Sequence, residues 1–595
     1  MTDTTDVNQV AWDLETMLPA PAPVGVDELM ERGDELATLI EAARGTLADL
    51  DAGALAGLYT QLAELYETLG RAGNYAGLRF AVDTADPEIA ALMMKVEERS
   101  TAIATRLVWI DLEWAALEDD HVERVLADDR LAFAAHHLRS IRRYRPHLLS
   151  EPEEVILTEK STSGANAWMR LFSELTSAIE VEVDGRGTSL EEALSRLDDP
   201  SLDRRQAAAG AVTDALAPGL RTRAFVYNTL LSDHSTDDRL RSYPSWMSAR
   251  NLSNEASDES VDALIEAVAR RSSIPQRWYT AKAKLLGLDG LDDWDRYASV
   301  ATDTASFDWS EGCEIVRDAY GSFSDEMASV VDGFLTGPWI DAPVRPAKRG
   351  GAFCAYTVPS HHPYLMLNWT SKRRDVLTLA HELGHGVHAY LSRGQGVFQQ
   401  STPLTLAETA SVFGETVTFG RLMERATDPD DRLALLAEHL EGEIATVFRQ
   451  VAMCRFESAA HTERRNVGEL SVERFGELWA ETQSEMFGDS VRISDGYRSW
   501  WSYIPHFIHT PGYVYAYAYG QLLALSVYAR FEAEGASFVP AYVEMLSAGG
   551  SRPPEELGRI VGVDLADPGF WDAGLDIIEG HLDATLEAAA AAGRL

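Results

Sequence analysis

A chain of 595 residues with 52 basic against 94 acidic side chains, net −42, is long enough for more than one core and carries the wrong sign of charge for nucleic acid. No uninterrupted apolar run is long enough to span a bilayer, and the opening Met1-Thr2-Asp3-Thr4-Thr5-Asp6 lacks the basic and apolar regions of a signal peptide. Three cysteines, Cys313, Cys354 and Cys454, show neither metal spacing nor a disulfide framework, so a soluble, cytoplasmic protein without membrane partners is expected.

The first third reads as amphipathic helices, with apolar residues at helical spacing over Asp27 to Leu47, Leu58 to Leu69 and Ile89 to Leu117. Ser150 and Glu153 make a capping-box pattern, with Pro152 in the first turn of a helix running towards Leu157. The stretch Val181 to Ser189, containing Asp184-Gly185-Arg186-Gly187, reads as a turn. It places a boundary near residue 200, between an N-terminal helical lobe (1–200) and a catalytic segment (201–595). Helices are expected over Val261 to Leu286 and Cys313 to Leu335. A hairpin follows, Ala352 to Val358 and Tyr364 to Trp369 around Pro359-Ser360-His361-His362-Pro363. A small sheet in a helical protein suggests an edge that takes up an extended peptide through its main chain. His361 and His362, adjacent in a turn, are read as solvent-exposed rather than as metal ligands.

The next segment carries the most specific signal. His381-Glu382-Leu383-Gly384-His385 spells HExxH inside a stretch whose Val376, Leu379, Leu383, Val387 and Leu391 recur at three or four residues. On a helix, positions i and i+4 share a face, so His381 and His385 converge on one metal ion while Glu382 stands at its open side. Ser371 can cap its start, Asp375 suits the first turn, and Arg393-Gly394 provides a stop. Gly384 and Gly386 cost the helix about 1 kcal/mol each relative to alanine, which makes sense if another backbone or a substrate must come close.

A catalytic zinc needs a third protein ligand and keeps a fourth position open. In Leu404 to Val417, Glu408 and Glu415 lie two turns apart and interrupt an otherwise apolar, small-residue helix, where an unpaired charge would cost several kcal/mol. We therefore expect Glu408 to bind zinc, and Glu415 to hold a ligand imidazole in orientation. Further on, His506-Phe507-Ile508-His509 and Tyr513-Val514-Tyr515-Ala516-Tyr517-Ala518-Tyr519 are the best source of hydrogen-bond donors for a negative charge growing on a carbonyl oxygen.

Taken together, the HExxH segment, Leu406-Ala407-Glu408-Thr409-Ala410-Ser411, Ile504-Pro505-His506-Phe507 and Tyr513 to Ala518 resemble oligoendopeptidase F, of the thimet-oligopeptidase-like zinc peptidases. Trp12-Asp13-Leu14 extends the likeness almost to the start of the chain. The resemblance implies a mainly α, two-lobed fold, with a small sheet beside the zinc helix and a deep channel that admits short peptides. It implies one Zn2+ held by His381, His385 and Glu408, and Glu382 as catalytic acid/base working on a zinc-activated water. It also implies His506 and Tyr513 in catalysis, with Tyr515 and Tyr517 against the substrate. Ile508 and Gly512 stand where relatives carry aromatic residues. The function expected is hydrolysis of internal bonds in short unfolded peptides. The alternatives are a zinc carboxypeptidase on a related scaffold and a non-catalytic, peptide-binding zinc protein. Acidic residues spread along the whole chain, with only Lys95, Lys160, Lys282, Lys284, Lys348 and Lys372 as lysines, fit a surface adapted to a halophilic cell.

Overall fold

The computed structural model describes residues 6–161, 163–300, 305–565, 567 and 569–595, and it is mainly helical. Its contacts define two compact units, each assembled from three chain segments: 1–148, 305–424 and 527–564 in the first; 149–304, 425–526 and 565–595 in the second. This division by contacts is a different cut from the linear one at residue 200.

In the first unit, helices Val24–Glu41, Ala52–Val82 and Pro87–Leu107 pack together. Asp51 and Asp86 cap the second and third by accepting backbone N–H groups (Asp51 from Ala54, 2.8 Å; Asp86 from Glu88, 2.8 Å), and Pro87 occupies a position where no N–H is needed. Their buried faces, including Met30, Leu36, Ile40, Tyr59 and Leu62, form a core that reaches Tyr364 of the sheet. The Tyr364 hydroxyl donates to the Asp13 carbonyl at 2.7 Å, tying the N-terminal segment to that strand.

The anticipated hairpin is present: Phe353–Ala355 runs antiparallel to Tyr364–Trp369, with Phe353 opposite Met366. A third strand, Ile340–Pro343, lies parallel on the other side, which leaves Phe353–Ala355 at an edge. Buried Asp341 breaks the apolar pattern of that third strand, and the covered side chain of Lys348 answers it: its ammonium donates to Asp341 Oδ1 (2.6 Å) and to the carbonyls of Pro343 (2.9 Å) and Leu367 (2.6 Å). The sheet packs on the helix Arg373–Ser392. His361 and His362 are half-buried, not exposed as expected. His362 stacks on Trp339 (centroids 4.0 Å apart), and His361 lies 3.0 Å from the Tyr364 hydroxyl, because apolar ring faces gain more from packing there than from water.

The second unit holds the hairpin Glu180–Val183 and Arg186–Ser189, whose turn residues Asp184 and Gly185 both adopt positive φ (53° and 73°). The helix expected over Val261 to Leu286 is two, Asp258–Arg270 and Ser273–Leu285. An aromatic core runs through Tyr227, Phe475 and Trp501 (5.2 and 4.7 Å between successive centroids), and Phe456 joins Phe507 to it at 5.0 Å. Burying Phe507 fixes the chain next to His506.

Candidate active site

The residue preceding the helix Arg373–Ser392 is Lys372 rather than the expected Ser371, which adopts φ 66° one position further out. Asp375 reaches back to accept from the backbone of Lys372 (3.0 Å) and Thr370 (2.6 Å), placing negative charge at the positive end of the helix. The second helix, Leu404–Arg425, comes unusually close to it. A Cβ on Gly384 would collide with the Ala410 carbonyl and the Ser411 backbone, and one on Gly414 with the Tyr320 hydroxyl and the Ala380 carbonyl. The two glycines thus permit the approach, and Tyr320 uses the space to donate to the Ala380 carbonyl at 2.8 Å. Gly386 makes room for the Phe334 ring.

This approach brings the expected ligands together. The Nε2 atoms of His381 and His385 lie 3.4 and 3.5 Å from Glu408 Oε2. Those separations exceed a hydrogen bond and match the spacing of about 3.3 Å between ligands at about 2.0–2.1 Å from one tetrahedral ion. Two imidazoles and a carboxylate are also the donor set that zinc takes in catalytic sites. On its far side, His381 Nδ1 meets Glu415 Oε2 at 3.3 Å, and Ser411 Oγ donates to Glu408 Oε2 at 2.8 Å, so ring and carboxylate are both held from behind. The Ala407 backbone favours the charged form of His385, against its burial.

Charge at the cluster favours a cation. Burial alone would depress His381, yet Glu415, Glu408 and Glu382 hold it up to about 9, whereas burial takes His385 down to about 4. Glu408 stays below the usual carboxylate range: burial pushes it up, but the two imidazoles and Ser411 outweigh that. Glu382 is 7% exposed, is not among the converging donors, and is pushed up to about 7 by burial and by Glu408, against the pull of His381. Sequence reasoning missed Tyr356. Burial, then the charges of Cys354, Glu408 and Glu382, raise its hydroxyl pKa strongly; its position directly after the strand Phe353–Ala355 gave no signal.

The remaining expected residues belong to the second unit. His506 Nε2 lies 3.4 Å from the Tyr517 hydroxyl, the Tyr513 ring is parallel to His506 with centroids 6.3 Å apart, and Tyr513 meets Tyr517 edge-on at 5.0 Å. All three are half-buried. Tyr515 departs from the expectation that it contacts substrate. It is fully buried and its hydroxyl accepts from Asn254 Nδ2 at 2.9 Å, because residues 513 and 517 share one side of the chain and 515 and 519 point into the core. Gly512, at φ 70°, makes the turn before them, and its N–H donates to buried Glu457 at 3.0 Å.

The sequence profile of Peptidase family M3 matches residues 197–577, more than half of the chain. The chain belongs to peptidase family M3. It is therefore a metallopeptidase, and the profile of Oligopeptidase F matches a further stretch, residues 113–180. Oligopeptidase PepF of Bacillus subtilis is 27% identical over 96% of this chain and 86% of its own length. Group B oligopeptidase PepB of Streptococcus agalactiae is 25% identical over 96% of each chain. Among solved structures, oligoendopeptidase-F from Enterococcus faecium superposes with a TM-score of 0.71 at 21% identity, covering 96% of this chain and 100% of that one. PZ peptidase A, solved with an inhibitor, gives 0.73 at 15% identity, covering 97% and 99%. At these identities the structures establish that the M3 fold is shared.

Proposed function

We propose that this M3 peptidase is a zinc endopeptidase of short unfolded peptides, in which His381, His385 and Glu408 hold the metal and Glu382 carries the proton. The observation that supports this most is the convergence of both imidazoles on Glu408, at 3.4 and 3.5 Å, with the buried carboxylate of Glu382 one residue along the same helix and outside that set. Zinc, when bound there, supplies Lewis acidity towards a peptide carbonyl and water.

The protein's own groups do the rest. Glu382 takes the proton of the attacking water and returns it to the departing amine; a group that titrates near neutrality performs both transfers with little penalty. Glu415 keeps Nε2 of His381 aimed at the metal by engaging Nδ1. His506, Tyr513 and Tyr517 supply donors for the carbonyl oxygen and the substrate backbone, each worth about 3 kcal/mol where charge develops. The edge strand Phe353–Ala355 offers main-chain pairing to an extended peptide, with Tyr356 following it, and such pairing tolerates varied side chains.

The names of the relatives favour internal cleavage over the carboxypeptidase alternative. No helix among the described residues is long and apolar enough to cross a membrane. With the distributed acidity, this supports a cytoplasmic enzyme working at high salt. The test is a fluorogenic peptide blocked at both ends. We expect cleavage at an internal bond, abolition by a chelator and recovery on adding zinc; cleavage only of peptides with a free C-terminus would reject the endopeptidase reading.

A further inference from the structure

A second cluster with the same donor types lies in the second unit, where the peptidase mechanism does not use it. His439 and Glu443 are one turn apart on the helix Pro429–Glu443, and His581 comes from the C-terminal helix Phe570–Ala591 packed against it. Glu443 Oε1 lies 3.5 Å from His439 Nε2 and 2.9 Å from His581 Nδ1, which is also 3.0 Å from Oε2. One ligand atom from each residue falls within 4.8 Å of the others, as at His381, His385 and Glu408.

Burial makes this arrangement chemically informative. The Glu443 carboxylate is 3% exposed, and two neutral imidazoles leave its charge uncancelled, at a cost of several kcal/mol in such surroundings. Either a proton shared with one histidine or a dication removes that cost. The contacts separate the two cases by residue. His581 sits at hydrogen-bond distance, whereas His439 sits at the longer spacing found between ligands of one ion, as in the HExxH cluster. His581 is also the most exposed of the three, at 25% of its side chain, which gives an ion and a completing water a way in. The helix changes character at this point: residues Ile444–Arg449, directly after Glu443, form a π-helical segment before the α-helix resumes at Gln450, and such segments gather at functional sites.

We propose that His439, Glu443 and His581 form a second metal site, selective for zinc-class ions that favour imidazole with one carboxylate, and that it clamps the C-terminal helix to the helix Pro429–Glu443. Two helices joined by an ion that binds only the folded chain are stabilised by that ion's mass action. The site needs none of the peptidase residues, so its occupancy separates from turnover.

The full-length protein, stripped with chelator and titrated with Zn2+, distinguishes the outcomes. We expect two equivalents in the wild type, one in Glu408→Ala, one in His581→Gln and none in the double variant, by elemental analysis after dialysis. Zinc should raise the melting temperature of Glu408→Ala by about 5 °C and leave the double variant unmoved. Turnover of zinc-loaded His581→Gln should stay within twofold of wild type. A wild type that saturates at one equivalent, with Glu408→Ala binding none, overturns the proposal and leaves a proton-sharing triad. If His581→Gln does not fold by circular dichroism, the wild type and Glu408→Ala alone decide.

Discussion

His381, Glu382 and His385 ride on one uninterrupted helix and Glu408 and Glu415 on another, whereas His506, Tyr513 and Tyr517 are strung across a four-residue helical turn, a loop and the first turn of the helix Tyr515–Glu534. The first set is locked by backbone contact at Gly384 and Gly414 and by Glu415 and Ser411 behind His381 and Glu408. The second is held by Phe507 in the aromatic core and by one N–H of Gly512 on Glu457. A metal site tolerates errors of only a few tenths of an ångström in its donors, and helices provide that. Donors proposed for a growing oxyanion must also be held in advance, and here the hold comes from Phe507 and Gly512 rather than from one continuous helix.

If the rigid set carries the proton chemistry, Glu382→Gln should cut kcat by about 10³–10⁴-fold with zinc content unchanged. Unchanged turnover would break the comparison at its strongest point. Glu382 works as a base only when ionised. Burial keeps it protonated up to about 7, and a dication draws that value down, so kcat/KM should fall as pH drops through a value at or below 7. The residual activity of Glu382→Gln should lack that limb.

Within the loop set, the split between half-buried and fully buried tyrosines should appear as a split in kinetics. Tyr517→Phe should lower kcat by about 10²-fold, while Tyr515→Phe should leave kcat within about twofold and cost roughly 1 kcal/mol of stability, through the hydrogen bond lost to Asn254. Equal kinetic losses would mean that Tyr515 reaches the substrate after all. Glu415→Ala should weaken zinc binding by about 10–100-fold, read by competition with a chromogenic chelator; an unchanged affinity would free His381 from that support. Last, Gly384→Ala gains up to about 1 kcal/mol in helix propensity but forces two backbones apart. We expect a net loss of about 1–3 kcal/mol in urea unfolding, and a net gain would contradict the close approach.

The same contrast explains what could be read from the chain. The HExxH helix, its apolar stripe and the Glu408/Glu415 pair are periodic over a single segment, and the hairpin with its Pro-bounded turn is local too. Ile340–Pro343 was illegible as a strand because buried Asp341 makes sense only with Lys348 beside it. The break between Asp258–Arg270 and Ser273–Leu285 falls inside a pattern that stays apolar-periodic, so periodicity alone ran through it. Nothing in the spacing sets Tyr515 apart from Tyr513 and Tyr517, because their phase depends on where the helix begins. Glu443 and His581 stand 138 residues apart, and only the packing of their helices joins them.

The proposed chemistry rests on one zinc-class ion between His381, His385 and Glu408 with Glu382 beside it. Anomalous diffraction at the zinc edge from crystals of the metal-loaded enzyme tests this directly. We expect a peak about 2.0–2.2 Å from His381 Nε2, His385 Nε2 and a Glu408 oxygen, with Glu382 outside bonding distance. A crystal with zinc present but no peak among those three side chains, or with Glu382 itself bound to the ion, would contradict it.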